Sequence, residues 1–417
     1  MDYLAIGEDL DPEGYIFATY RVKTDLPIEK AARAIAAEQS TGTWTDISTA
    51  SREIITRLGA KVTEIANSLV KIAYPLEDFD PESGGIPQLL SVVAGNLFGL
   101  EDLEGVRLED LEIPDAFAKN FSGPAFGIEG LRKVLDRWDK PLVGTIVKPK
   151  IGLPPEEFAA YVYEAGMGGL TNSKDDETLV NQRFCPLAER TAAVADALDR
   201  IFDETGHRMI HAINVSSPQD RILELAELAA EHGARQIMVD ILTCGFDAVR
   251  ILREDPSIKL PIHVHRTMHG ALTRNPDHGI AMAVIAKIAR LCGADALHIG
   301  TFGVGKMHGS FMEDEKTRRA LIDPFCGFKE AMPVCSGGIH PGLVPELIRI
   351  AGTDIQIQAG GGVSGHPGGV RQGAMAMCEA VDAALEGVPL EEYGADHEAL
   401  RAALKRWGGL ADGSHTV

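Results

Sequence analysis

From Pro141 onward, short apolar runs alternate with longer amphipathic stretches, and this alternation leaves few folds open. The runs fall at 142–147, 169–172, 209–214, 236–241, 261–265, 296–299, 333–336 and 355–358. Strands that alternate with helices build a parallel sheet, and about eight of them is the number that closes a (β/α)₈ TIM barrel. Helix signals fall between the runs. Ser217 followed by Pro218 and Asp220 reads as an N-cap with proline at the first helical position, and Gly233 ends that helix. Pro154-Pro155-Glu156-Glu157 opens another in the same way. Before Pro141 the rhythm differs: 15–22 and 68–74 are strand-like, while 27–38 and 86–95 are helical. The expected fold class is therefore α/β, with an α+β N-terminal domain over 1–138 and a barrel with C-terminal helices over 139–417.

Charge narrows the partners. With 40 Lys and Arg against 61 Asp and Glu, the formal net charge is −21, which argues against nucleic acid or an anionic membrane as a partner. An anionic ligand must then meet cations concentrated locally. The most apolar stretch, 279–291, is broken by Lys287 and Arg290 and is shorter than the ~18 residues a membrane span needs. Met1-Asp2-Tyr3-Leu4 lacks the basic start of a signal peptide, and the six cysteines show no C-x-x-C spacing. A reducing cytoplasm is the expected location.

In a TIM barrel the chemistry sits where strands end, at the C-terminal face. At or just after the proposed strand ends stand Lys148 and Lys150, Lys174 with Asp176 and Glu177, Asn214, Asp240, His265 with Arg266, and His298. Ser336-Gly337-Gly338 and Gly360-Gly361-Gly362 follow the last two strands, where backbone N–H groups can cradle phosphate. Thr301 to Lys306 is a glycine-rich loop able to carry its lysine over the barrel mouth. His263, His265 and His269 are close in sequence but lack a convincing further ligand for zinc.

The run Lys174-Asp175-Asp176-Glu177 has two readings, a solvated salt-bridge patch or a site for a hard cation. Two carboxylates make an incomplete Mg²⁺ shell, and an ammonium offers no oxygen. If CO₂ converts Lys174 to a carbamate, the lysine supplies a third anionic ligand.

These motifs stand in one order: Lys148-Pro149-Lys150, the K-D-D-E run, His265-Arg266-Thr267-Met268-His269, His298-Ile299-Gly300-Thr301, Gly305-Lys306, Ser336-Gly337-Gly338, and Gly360 through Pro367. In that order the chain resembles the ribulose-1,5-bisphosphate carboxylase/oxygenase (RuBisCO) large-chain superfamily, in particular form III. Glu38 to Trp44 and Gly95 to Gly99 extend the resemblance into the N-terminal part.

The resemblance implies a carboxylase that forms the enediolate of a phosphorylated ketose on Mg²⁺ and adds it to CO₂. It implies a carbamate on Lys174 with Asp176 and Glu177 as the other metal ligands. One phosphate is expected on Thr43 and Trp44 with Ser336, Gly337, Gly338, Gly360 and Gly361, and the other on Arg266 and His298 near Lys306. Lys148 is implied in protonation, Lys150 in support of the metal-site charges, and His265 as base or hydroxyl contact. Lys306 is implied to close over the substrate, positioned by Glu38, and Asn96 to contact its metal-bound edge. In this family Glu38, Thr43, Trp44 and Asn96 act on a neighbouring subunit's site, which implies a homodimer or a multiple of dimers.

Three positions depart from the family pattern. Thr171 stands where aspartate is usual, Thr178 replaces the asparagine that often follows K-D-D-E, and His308 replaces a glutamate after the loop lysine. Loss of an acid beside the carbamate is expected to alter the charge around it. These departures leave a second expectation, a RuBisCO-like protein that enolises, isomerises or decarboxylates another phosphorylated keto-sugar or a 3-oxo sugar acid.

Overall fold

The structure is a computed structural model, and it describes residues 3–42, 48–49, 51–305 and 309–409. The N-terminal part forms a mixed sheet from β1 (Tyr15–Lys23), β2 (Lys61–Ala66), β3 (Leu69–Pro75) and β4 (Gly105–Glu112). β1 lies between β3 and β4, antiparallel to both. Its alternation sets the inner face: Ile16, Ala18, Tyr20 and Val22 are buried, and so are Ala31, Ala32, Ile35 and Ala36 of the helix Ile28–Glu38. Tyr20 Oη shares a hydrogen bond of 2.9 Å with Tyr74 Oη and donates to Val93 O, so buried polar tips are satisfied.

The barrel consists of β5 (Leu142–Ile146), β6 (Asn172–Lys174), β7 (Ile210–Asn214), β8 (Gln236–Asp240), β9 (Ile262–His265), β11 (Ala296–Ile299), β12 (Met332–Ser336) and β13 (Gln356–Gln358). These strands pair in parallel and close the ring between β13 and β5. The short β10 (Gly279–Ile280) leaves the barrel and pairs with β4, extending the N-terminal sheet to five strands. At the barrel's floor, Ile128, Leu131 and Leu135 of the helix Gly127–Leu135 pack on Leu142, Ile210, Ala296, Met332 and Val334. That apolar plug positions the opposite end as the open mouth. Among the described residues no helix is long and apolar enough to cross a membrane.

Two sequence expectations are corrected. The second barrel strand is not 169–172 but Asn172–Lys174, because the helix before it ends at Met167 and Gly169 takes a left-handed turn (φ 95°). Its residues are polar, since Asn172 and Lys174 sit in a polar layer of the barrel interior, so the apolar run stops short of it. Ser217 is not an N-cap: the helix begins at Ile222, and the Ser217 hydroxyl donates back to Val215 O.

Candidate active site

The strand ends converge as the barrel geometry requires. One cavity of about 480 Å³ is lined by Lys148, Lys150, Lys174, Asp176, Glu177, His265, Arg266, His298, Ser336, Gly337, Gly338, Gly360 and Gly361. Thr267, Met268, His269 and Gln358 complete much of its wall.

Lys174 is the last residue of β6 and only 2% exposed. Its Nζ donates to Asp175 O at 2.9 Å and lies 3.8 Å from Glu177 Oε2. Two lysines from the loop after β5 hold the acids from the other side. Lys148 Nζ donates to Asp176 Oδ2 at 3.0 Å, and Lys150 Nζ donates to Glu177 Oε1 at 2.8 Å. Burial lowers the Lys174 pKa against the opposing pull of Glu177 and Asp176, which favours the neutral, nucleophilic amine. Burial pushes the Glu177 carboxyl up, but His265, Lys174 and Lys150 overcome it and hold the group below the usual carboxylate range. The hydrogen bond to Glu177 raises Lys150.

A buried clamp fixes the acid-bearing loop. Asp175 Oδ2 accepts from Arg190 Nη2 at 2.9 Å and from Asn214 N at 2.8 Å, and both charged side chains are fully buried. His211 Nε2 meets Asp175 Oδ1 at 2.9 Å, and His211 Nδ1 meets Ser173 Oγ at 2.7 Å. The carboxylate can only accept, so Nε2 carries a proton. Arg190 also donates to Cys185 O and Val180 O, and Asn214 Nδ2 donates to Asp176 O and Glu177 O at 3.3 Å. The pair is therefore embedded in further hydrogen bonds, the condition under which a buried ion pair is held firmly.

The remaining lining suits an anion. The Arg266 guanidinium makes no hydrogen bond among the described residues, and burial lowers its pKa to about 10. His298 meets Ser336 Oγ through Nδ1 and His263 Nε2 through Nε2, both at 2.7 Å. Burial holds His263 and His298 well below the ordinary histidine value, so both are neutral near pH 7. His265 Nδ1 lies 3.3 Å from Asp240 Oδ1, and its Nε2 lies 3.9 Å from Glu177 Oε2. At Gly360 a Cβ would come within 3.3 Å of Lys148 Cε, so a side chain there would crowd the lysine.

Comparison with known proteins is consistent along the whole chain. The family model for the ribulose bisphosphate carboxylase large chain catalytic domain matches residues 127–407, and that for its N-terminal domain matches residues 6–117. A ribulose bisphosphate carboxylase of Methanocaldococcus jannaschii is 41% identical, over 98% of this chain and 100% of its own. One from Pyrococcus furiosus is 43% identical over 92% of this chain and 91% of its own. The chain belongs to the RuBisCO large-chain family. Among solved structures, the octameric RuBisCO of Pyrococcus horikoshii superposes with a TM-score of 0.91 at 39% identity, covering 98% of this chain and 96% of that one. The dimeric archaeal RuBisCO of Hyperthermus butylicus gives 0.87 at 37%, covering 97% and 98%. These relatives are archaeal, in keeping with the resemblance to form III.

Other positions of the RuBisCO pattern lie elsewhere. Glu38 ends the helix Ile28–Glu38 and Asn96 opens the turn Asn96–Gly99 in the N-terminal part, and neither lines the cavity. Their segments are neighbours, because Gln39 Nε2 donates to Val92 O at 2.5 Å. Thr43, Trp44, Lys306 and His308 lie outside the described residues.

Thr171, expected to bear on the charge around Lys174, does not line the site cavity. Thr171 precedes β6, accepts from Val143 N at 3.0 Å, and shares a 160 Å³ hollow with Lys140, Cys378 and Asp382. It belongs to the floor end of the strand. Thr178, by contrast, touches a site acid directly. Sequence reading gave no role to the Asp175–Arg190–His211 clamp; Asp175, the first acid of K-D-D-E, was its one visible sign.

Proposed function

We propose that the chain is a ribulose-1,5-bisphosphate carboxylase, a carboxy-lyase, acting in the cytoplasm as a homodimer or a multiple of dimers. The observation that carries this reading is the buried Lys174 beside Asp176 and Glu177, with Lys148 and Lys150 on the far side of both acids.

RuBisCO large chains generally use Mg²⁺ and a carbamylated lysine, and the residues here fit both. A desolvated amine adds CO₂ more readily than an ammonium. Carbamylated, Lys174 joins Asp176 and Glu177 as a set of anionic oxygens, the donor type Mg²⁺ requires. When bound there, the ion polarises the substrate ketone.

The chain's own residues do the rest. Arg266 and His298 hold one phosphate; Ser336, Gly337, Gly338, Gly360 and Gly361 hold the other, with Thr43 and Trp44 from the partner. Phosphates fixed on both sides keep the five-carbon sugar across the mouth, so its central carbons face Lys174 and His265. His265 contacts the hydroxyl or accepts the proton beside the ketone, and burial, by lowering its pKa, favours the neutral ring that can accept. The carbon so activated adds to CO₂; water adds to the neighbouring ketone carbon, the bond between these two carbons breaks, and Lys148 returns a proton to the carbon that carries the new carboxylate. Lys150 balances the charge of Glu177, and Lys306, positioned by Glu38, covers the nascent carboxylate. Residues 1–138 form the domain that lends Glu38, Thr43, Trp44 and Asn96 to the partner's site, and residues 139–417 the catalytic domain.

The test is turnover of ribulose bisphosphate with labelled CO₂ and Mg²⁺ after preincubation with CO₂. Label in an acid-stable product is expected. Proton exchange into a different phosphorylated sugar, without fixed label, contradicts the proposal.

A further inference from the structure

Thr178 follows the acids of the K-D-D-E run and is one of the positions where this chain departs from the family pattern. Its backbone N–H donates to Asp176 Oδ1 at 3.3 Å, and its hydroxyl lies 3.1 Å from the same oxygen. The hydroxyl is also 3.2 Å from Lys150 O. Gln182 Nε2 donates to Thr178 O at 2.7 Å and fixes the turn. We infer that Thr178 is a positioning residue for metal binding: its hydroxyl locks the Asp176 carboxylate and ties the loop after β6 to the loop after β5. The inference rests on the proposed Mg²⁺ site.

The other groups that reach this carboxylate are lysines given work of their own. Lys148 Nζ holds Oδ2 at 3.0 Å, and Lys150 Nζ lies 3.9 Å from Oδ1. When Lys148 serves the substrate, Oδ2 loses its donor; Thr178 takes no part in proton transfer and keeps Oδ1 in place. The hydroxyl has one proton for two acceptors, and the carboxylate, being charged, is the stronger. Lys150 O stays within reach as the alternative acceptor, so the hydroxyl can turn from the carboxylate to the loop after β5 without leaving its place. A carboxylate so held enters metal coordination already oriented, and removal of such outer contacts typically weakens metal affinity ~10–100-fold.

Thr178→Val keeps the branched shape and removes the hydroxyl, and the residue is exposed, so folding tolerates the change. The measurement is calorimetric Mg²⁺ binding at saturating CO₂, with the carbamate followed by ¹³C NMR as Mg²⁺ is added. Thr178→Val is expected to need about tenfold more Mg²⁺. Thr178→Ser should stay within about twofold of the parent, since the donor is restored. Melting without Mg²⁺ should be the same for all three. Equal affinity of parent and Thr178→Val overturns the role of Thr178 alone. A parent chain that binds no Mg²⁺ with CO₂ overturns the metal-site reading, and the positioning role with it. If Thr178→Val melts early, Thr178→Ala against Thr178→Ser decides the same question.

Discussion

Thr171, just before β6, and Lys174, its last residue, are about 10 Å apart along the chain and obey different rules. At the floor, Thr171 satisfies Val143 N and lines a hollow with Lys140, Cys378 and Asp382. At the mouth, Lys174 is equally buried yet sits among Asp176, Glu177, Lys148 and Lys150. Burial at the floor serves packing. Burial at the mouth lowers the pKa of an amine and brings like and unlike charges within a few ångströms, with the Asp175 clamp underneath fixing the acid-bearing loop. The division predicts that Thr171, three residues before the lysine, has little bearing on the reaction, whereas Thr178, four residues beyond it, contacts the acid Asp176 directly.

Substitutions at the two ends should therefore separate chemistry from stability. Lys174→Ala is expected to abolish labelled CO₂ fixation while melting within a few degrees of the parent; full activity would break the contrast at once. Arg190→Met leaves Asp175 as an uncompensated buried charge and should cost ~3–5 kcal/mol in urea unfolding, with Mg²⁺ affinity falling as the acid loop loosens. Thr171→Val should cost ~1–3 kcal/mol, the penalty for leaving Val143 N–H buried without its partner, while KM and Mg²⁺ affinity remain those of the parent. A change in KM there would move Thr171 back to the mouth.

The smallest effect is expected far from either end. Burial raises the Asp78 carboxyl from 3.8 to about 6. The folded state thus binds this proton more tightly than the unfolded one, so Asp78 favours folding below about pH 4, and that contribution is lost as pH rises through 6. Asp78→Asn should raise the melting temperature slightly above pH 6, with the gain shrinking to nothing near pH 4. A gain independent of pH would contradict burial as the cause.

Much of the barrel was legible because seven of its strands are apolar runs between helix signals, and their ends named the lining residues. β6 was misplaced since its three residues, Asn172, Ser173 and Lys174, are polar. β4 escaped notice because charged residues break up its hydrophobic pattern, although Arg107 and Glu109 are themselves buried. The plug helix Gly127–Leu135 has an ordinary amphipathic sequence, and nothing local says that its apolar face closes a barrel. The clamp was illegible for a related reason: Arg190 and His211 reach Asp175 from other elements, and such pairing appears only in three dimensions. Glu38 and Asn96 were legible only through the family resemblance, since neither lines the cavity of its own chain.

The central claim is that Lys174, desolvated at the barrel mouth, takes up CO₂ to complete a magnesium site. ¹³C NMR of the protein equilibrated with ¹³CO₂ and Mg²⁺ tests it directly. One carbamate resonance per chain is predicted, absent from Lys174→Ala and unchanged in Thr171→Val. A resonance that survives in Lys174→Ala, or none in the parent chain, would contradict it.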